Sequence, residues 1–173
     1  MNQKQLHQLK ETLYKKQNKY SFEQLYPHLK QMFGVGDEYK QDLLLIFKLA
    51  DAGYYLSEKG GDGNIQSGEF ERLIKKIPET YANKQELFGR LFFRLIDNQQ
   101  VTNHNINRKE FKRFIEFLFE IKEYQPEDTL NDSCDKLLNQ LENTFVDELY
   151  KVISGGKDEL KEDQFVEWYV TLI

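Results

Sequence analysis

An all-α architecture of four helix-loop-helix units arranged in two pairs is predicted by three features of this sequence. The first is an internal repeat: NIQSGEFERLI (Asn64 to Ile74) aligns without gaps on NINRKEFKRFI (Asn105 to Ile115). Upstream of these segments, FKLAD (Phe47 to Asp51) matches FRLID (Phe93 to Asp97). The second is that apolar residues recur at helical spacing behind four short polar turns. The third is composition: 39% hydrophobic residues in a chain of 173 can build a core, and 13 Phe and 10 Tyr against 2 Met make aromatic rings its main packing units.

Each unit is anchored by one apolar residue at the centre of its loop. These anchors are Tyr20, Ile65, Ile106 and Leu160, followed five residues later by Leu25, Phe70, Phe111 and Phe165. In the first unit the helix after the loop runs on through His28, Leu29 and Met32, and in the second through Leu73, Ile74 and Ile77. The third continues through Phe114, Ile115 and Leu118, and the fourth through Trp168, Tyr169 and Leu172. Steps of three, four and seven place these side chains on one helical face, and all of them except His28 are apolar or aromatic. Ser21, Ser67 and Asn107 stand just after the anchors, where a short oxygen-bearing side chain accepts the free N–H groups of a first turn. Between the second and third units lies IPETYANK, in which Pro78 ends one helix and the next begins near Ala82.

Charge and hydropathy exclude several function classes. The formal net charge is -5, with 24 basic and 29 acidic residues interspersed, so there is no basic stripe to neutralise a phosphate backbone and nucleic acid is not an expected partner. The longest apolar run, Leu43 to Phe47, is far short of a membrane span, and MNQKQLHQLK lacks the apolar stretch of a secretion signal. Membrane insertion is not expected, and a cytoplasmic setting is. The lone Cys134 fits that setting: it can neither staple the chain nor build a thiolate metal site, and it reads as a small helical residue. Catalysis is not expected either. His7, His28 and His104 do not fall at metal-ligand spacing with any carboxylate cluster, and KGGDG lacks the preceding strand and the lysine-hydroxyl pair of a nucleotide loop.

From about Leu6 to Leu172 these motifs resemble the EF-hand superfamily, in particular calmodulin-like and light-chain-like chains with largely degenerate loops. The family loop gathers hard oxygens at positions 1, 3, 5, 7, 9 and 12, with Gly at 6, an apolar residue at 8 and a bidentate Glu at 12. With Ile65 at position 8, the second loop has Glu58 at 1, Gly60 at 3, Asp62 at 5, Gly63 at 6, Asn64 at 7, Gln66 at 9 and Glu69 at 12. The match at Phe47 to Asp51 makes Asp51 the family's first ligand position, so an insertion of about seven residues intrudes between it and the loop. An unusual path would be needed to bring Asp51 or Glu58 back. In the third loop Glu110 stands at 12 and Asn103, Asn105 and Asn107 at 5, 7 and 9, but His104 replaces the Gly, with Val101 and Gln99 at 3 and 1. Neutral amide oxygens repay less of a cation's lost hydration than carboxylates do. The first loop places Leu13, Lys15, Gln17 and Lys19 at ligand positions with Gln24 last, and the fourth has Ile153, Gly155, Lys157 and Lys161 with Gln164 last. Lysines there repel a divalent cation. No cofactor is expected overall; candidate calcium ligands are Asp62, Asn64 and Glu69 in loop two and, more remotely, Asn103, Asn105 and Glu110 in loop three.

The resemblance also implies pairing of loops through short two-residue β bridges, Tyr20 beside Ile65 and Ile106 beside Leu160. That would give an amino-terminal pair over residues 1–80 and a carboxy-terminal pair over 81–173. Family members commonly hold a target helix in an apolar groove. Two methionines are too few for a promiscuous groove, so the implied function is an adaptor or structural subunit that binds an amphipathic or apolar helix of one dedicated partner, in a cytoskeletal, axonemal or other ciliary assembly. Phe117, Phe119, Tyr124 and Trp168 are candidate contacts. The alternative is a calcium sensor or buffer using loop two, alone or together with loop three.

Overall fold

The computed structural model describes residues 1–52, 61–97, 105–124 and 146–171, without the side chains of 119 and 122–124. The chain begins with α1 (Gln3–Lys16), whose first turn is closed reciprocally: the Asn2 side chain accepts the Gln5 N–H while the Gln5 side chain accepts the Asn2 N–H. β1 (Lys19–Ser21) leads into α2 (Phe22–Phe33), which ends at Gly34 in the left-handed region, φ 63°, where the absence of a Cβ removes the penalty. A 3-10 turn (Asp37–Tyr39) and α3 (Lys40–Ala52) follow, then β2 (Asn64–Gln66) and α4 (Ser67–Lys76). The second half contains α5 (Lys84–Ile96), β3 (Asn105–Ile106), α6 (Arg108–Tyr124), α7 (Val146–Ile153), β4 (Leu160–Lys161) and α8 (Glu162–Thr171). No described helix is long and apolar enough to cross a membrane.

The described chain is thus mostly helical, with two small antiparallel sheets of two strands each. β1 pairs with β2 with Tyr20 opposite Ile65, and β3 pairs with β4 with Ile106 opposite Leu160. These are the partners that the family resemblance implied; the first bridge is three residues long on each strand rather than two. Helix packing repeats as well. In the first half α1 lies on α4 and α2 on α3; in the second α5 lies on α8 and α6 on α7. One tyrosine in each half ties a helix to a loop anchor: Tyr14 of α1 donates its hydroxyl to the Ile65 carbonyl at 2.8 Å, and Tyr150 of α7 to the Ile106 carbonyl at 2.9 Å.

The predicted register sets the core. All four anchors and the four residues that follow them, Leu25, Phe70, Phe111 and Phe165, are buried. So are Leu29, Met32, Leu73, Ile74, Phe114, Ile115, Leu118 and Tyr169, while His28, Ile77 and Trp168 are half-buried and Leu172 lies outside the described residues. Ser67 departs from its expected role. It is the first residue of α4, and Gln66 precedes the helix; the turn is closed instead by Glu69, which accepts the Gln66 N–H at 2.9 Å.

Residues of both halves join one continuous hydrophobic core. α3 makes the connection: it packs on α2, α4 and β2 in its own half and on α5 and α6 in the other. Rings continue the seam, with Phe33 and Tyr39 against Phe88 at centroid distances of 5.7 and 5.4 Å.

Candidate functional site

The four loops hold the only residues whose pattern in the sequence pointed to chemistry. At their helical ends they share one device. The side-chain oxygen of Gln24, Glu69, Glu110 and Gln164 each accepts the backbone N–H three residues earlier, from Ser21, Gln66, Asn107 and Lys161, at 2.9 Å in every case. Ser21 and Asn107 answer through their own side chains, accepting the N–H of Gln24 and Glu110. The last position of each loop therefore closes the first turn of the next helix, a role that glutamine fills as well as glutamate.

Loop one is closed by its own donor. The Gln17 amide nitrogen donates to the Lys19 carbonyl at 2.8 Å and to the Gln24 side-chain oxygen at 3.3 Å. A neutral NH2 thus sits between the Lys19 carbonyl and the Gln24 side-chain oxygen, while Lys15 and Lys19 are exposed and Leu13 is buried in the core. Loop four is closed in the same spirit. The fully buried Ser154 donates to the Lys157 carbonyl at 2.9 Å, and the Tyr150 hydroxyl shares its proton between Asp158 and Ile106 carbonyls. Gly155 and Gly156, at φ 68° and 82°, allow the chain to turn there, and Lys157 and Lys161 are exposed.

Loop two differs. Asp51, at the end of α3, returns to the turn across the insertion: its Oδ2 accepts the Gly63 N–H at 2.9 Å. Its carboxyl fits so closely beneath Gly61 that a methyl group there would overlap it. Only 9% of Asp51 is exposed, and its Oδ1 is buried without a hydrogen-bond partner among the described residues. Burial first, with the Asp62 charge adding to it and the Gly63 N–H opposing, pushes the Asp51 carboxyl up to about 6. Glu69 is also raised, by burial first and then by the charges of Asp51 and Asp62. Asp62 is bound into its own turn, accepting the Asn64 N–H at 2.9 Å through Oδ1, and Asn64 lies in β2 opposite Ser21. Glu58 and Gly60 lie outside the described residues.

In loop three the reciprocal pair of Asn107 and Glu110 opens α6, and the Asn105 amide reaches sideways to Glu159 at 3.0 Å. Asn103, Gln99, Val101 and His104 lie outside the described residues. Asp97, the repeat equivalent of Asp51, is buried near the cations of α4: its charge acts on Lys76, whose ammonium burial and the neighbouring Arg72 hold below the usual lysine range. Buried Arg72 itself caps the end of α5 through the Leu95 carbonyl at 2.7 Å.

The charge of Asp62 thus acts on Asp51, and the charges of Asp51 and Asp62 both act on Glu69. Among the described residues, however, no three His, Cys, Asp or Glu side chains converge tightly enough to hold a metal ion. Asp51 is the residue of this site that the ligand spacing passed over. The signal for it was its place in FKLAD opposite FRLID, and what obscured it was the intervening insertion.

The expected partner-binding aromatics divide. Phe117 is 2% exposed and belongs to the core, with the Arg113 guanidinium 4.6 Å above its ring. Trp168 is half-buried between Phe111 and Phe165, and the side chains of Phe119 and Tyr124 lie outside the described residues. Among the described residues the large apolar side chains on the surface are Met1, Tyr81 and Val152. No protein-family model matches the chain, and no curated protein matches it either.

Proposed function

We propose that this chain is a non-catalytic adaptor of EF-hand-like design, with four degenerate units in two pairs, that binds a helical segment of a larger cytoplasmic assembly and keeps its fold without calcium. The observation that carries the reading is the closure of loop one by the Gln17 amide, which satisfies oxygens that an ion would otherwise serve. The register of the strands, Tyr20 on Ile65 and Ile106 on Leu160, supports the paired design. A cytoskeletal or axonemal assembly suits a subunit of fixed conformation. Two measurements test this. Calorimetric titration of the purified chain should give no saturable heat at millimolar calcium; and in native extracts the chain should migrate within a larger complex. Saturable heat would defeat the calcium-independent part, and a free monomer in extracts the adaptor part.

A second reading has its own observation. The Oδ1 of Asp51 is buried with no hydrogen-bond partner among the described residues, and the charges of Asp51 and Asp62 both act on Glu69, so three carboxyls gather at this turn. A calcium sensor or buffer would draw on Asp51, Asp62, the Asn64 carbonyl and Glu69, which supply hard oxygens for a Lewis-acidic ion. Loss of any calcium-dependent heat in an Asp51→Asn chain would support this reading.

A further inference from the structure

Helix α3 is buried on every side: from Gln41 to Ala52 each residue except Lys48 is withdrawn from solvent. A helix serving one half alone would bury a single stripe. α3 instead lies between the halves, with α2, α4 and β2 on one side and α5 and α6 on the other. Its first turn carries a carboxyl, Asp42, at 5% exposure, and the Tyr169 hydroxyl of α8 donates to its Oδ1 at 3.0 Å. A buried carboxyl is costly unless a specific donor meets it, so this bond favours one register of α3 on the second half. Gly89 of α5 makes room for the bond, since a Cβ there would stand 3.1 Å from the Tyr169 ring. That ring is in turn held by Phe92, at 5.4 Å and nearly perpendicular, and by Phe165 in a parallel stack at 6.4 Å.

We propose that α3 serves as an internal target helix, occupying from within the same chain the apolar face of α5 and α6, latched to α8 by Asp42 and Tyr169, and thereby closing that face to any partner. The consequence for the adaptor reading is specific: the partner helix binds elsewhere on the surface, and the two pairs behave as one cooperative body. Large apolar seams suppress relative motion of the parts they join.

The test uses the full chain, with no calcium and no partner, so it fails independently of the adaptor reading. Trp168 is the chain's sole tryptophan and reports on the second half from α8. Leu25, in α2, is fully buried in the first half. Leu25→Ala should lower the urea midpoint read by Trp168 fluorescence by the same amount as the midpoint read by helical circular dichroism. A Trp168 midpoint left at its original value would overturn the proposal. Should Leu25→Ala fail to fold, native-state hydrogen exchange on the unaltered chain decides: α3 and α5 amides should open together, and α3 amides exchanging well before those of α5 would refute the closed seam. A labelled peptide of residues 37–52, titrated into the unaltered chain, should show no saturable binding. Saturable binding would mean the face is open, which is incompatible with the proposal.

Discussion

Replacing Asp51 with asparagine should stabilise the calcium-free chain at neutral pH. The carboxyl is pushed from 3.8 up to about 6, chiefly by burial and then by Asp62, which means that the fold disfavours its charged form. That difference corresponds to about 3 kcal/mol once the group is fully ionised. Asparagine removes the charge and keeps an oxygen for the Gly63 N–H, while its NH2 can face Asp62. After allowance for imperfect replacement of one group by the other, a gain of about 1 to 2 kcal/mol is expected near pH 7. The pH dependence has a definite sign. Below about pH 4 the carboxyl is protonated in both folded and unfolded chains, and its contribution is fully present; as pH rises through about 6 that contribution is lost. The stability gap between variant and parent should therefore open between about pH 4 and pH 6 and stay constant above. Urea unfolding in a chelating buffer across that range measures it. A variant less stable than the parent at neutral pH in chelator would refute the claim that Asp51 is a strained, buried charge. If added calcium then stabilised the parent alone, reversing the order, the second functional reading would gain the support that the first would lose.

Other consequences are open to the same measurement. Glu69→Gln preserves the oxygen that closes α4 and removes a charge from the cluster, so in chelator its stability should match or slightly exceed the parent's; a loss above about 1 kcal/mol would mean that the charge itself matters. Phe111→Ala removes a fully buried ring that touches Tyr150, Phe165 and Trp168, and should cost about 3 to 5 kcal/mol; a neutral result would undo the helix register. Gly89→Ala would add about 1 kcal/mol of helix propensity on an open surface, yet here the new methyl meets a ring that is locked on three sides. Overpacking at about 1 to 3 kcal/mol should win, and a more stable Gly89→Ala chain would show that Tyr169 can yield.

The helices and most of the core were legible in the residues alone because they depend on local periodicity, whereas the two strand pairings were expected only from the family resemblance. Phe70 and Phe111 sit at one place in two copies of a repeat, and a helix buries whatever recurs along one face, so both are buried. Ser67 was misassigned because serine, glutamine and glutamate all offer oxygens within one turn, and which of them closes the helix depends on backbone geometry that composition does not encode.

Contacts between residues far apart in the chain were decided by the tertiary structure. Asp51 and Asp97 are twins in the repeat, yet one turns into a loop to meet Gly63 while the other acts on Lys76 of α4, because their surroundings come from different elements. Phe117 offered no local sign of being core rather than surface, since Arg113 over its ring and the packing that buries it arrive only on folding. The sequence by itself determined which face of each helix is apolar, because that follows from spacing along one element. Only the fold decided that α3 belongs to both halves, since burial on its second side depends on α5 and α6, and a period along one helix carries no information about what lies across from it.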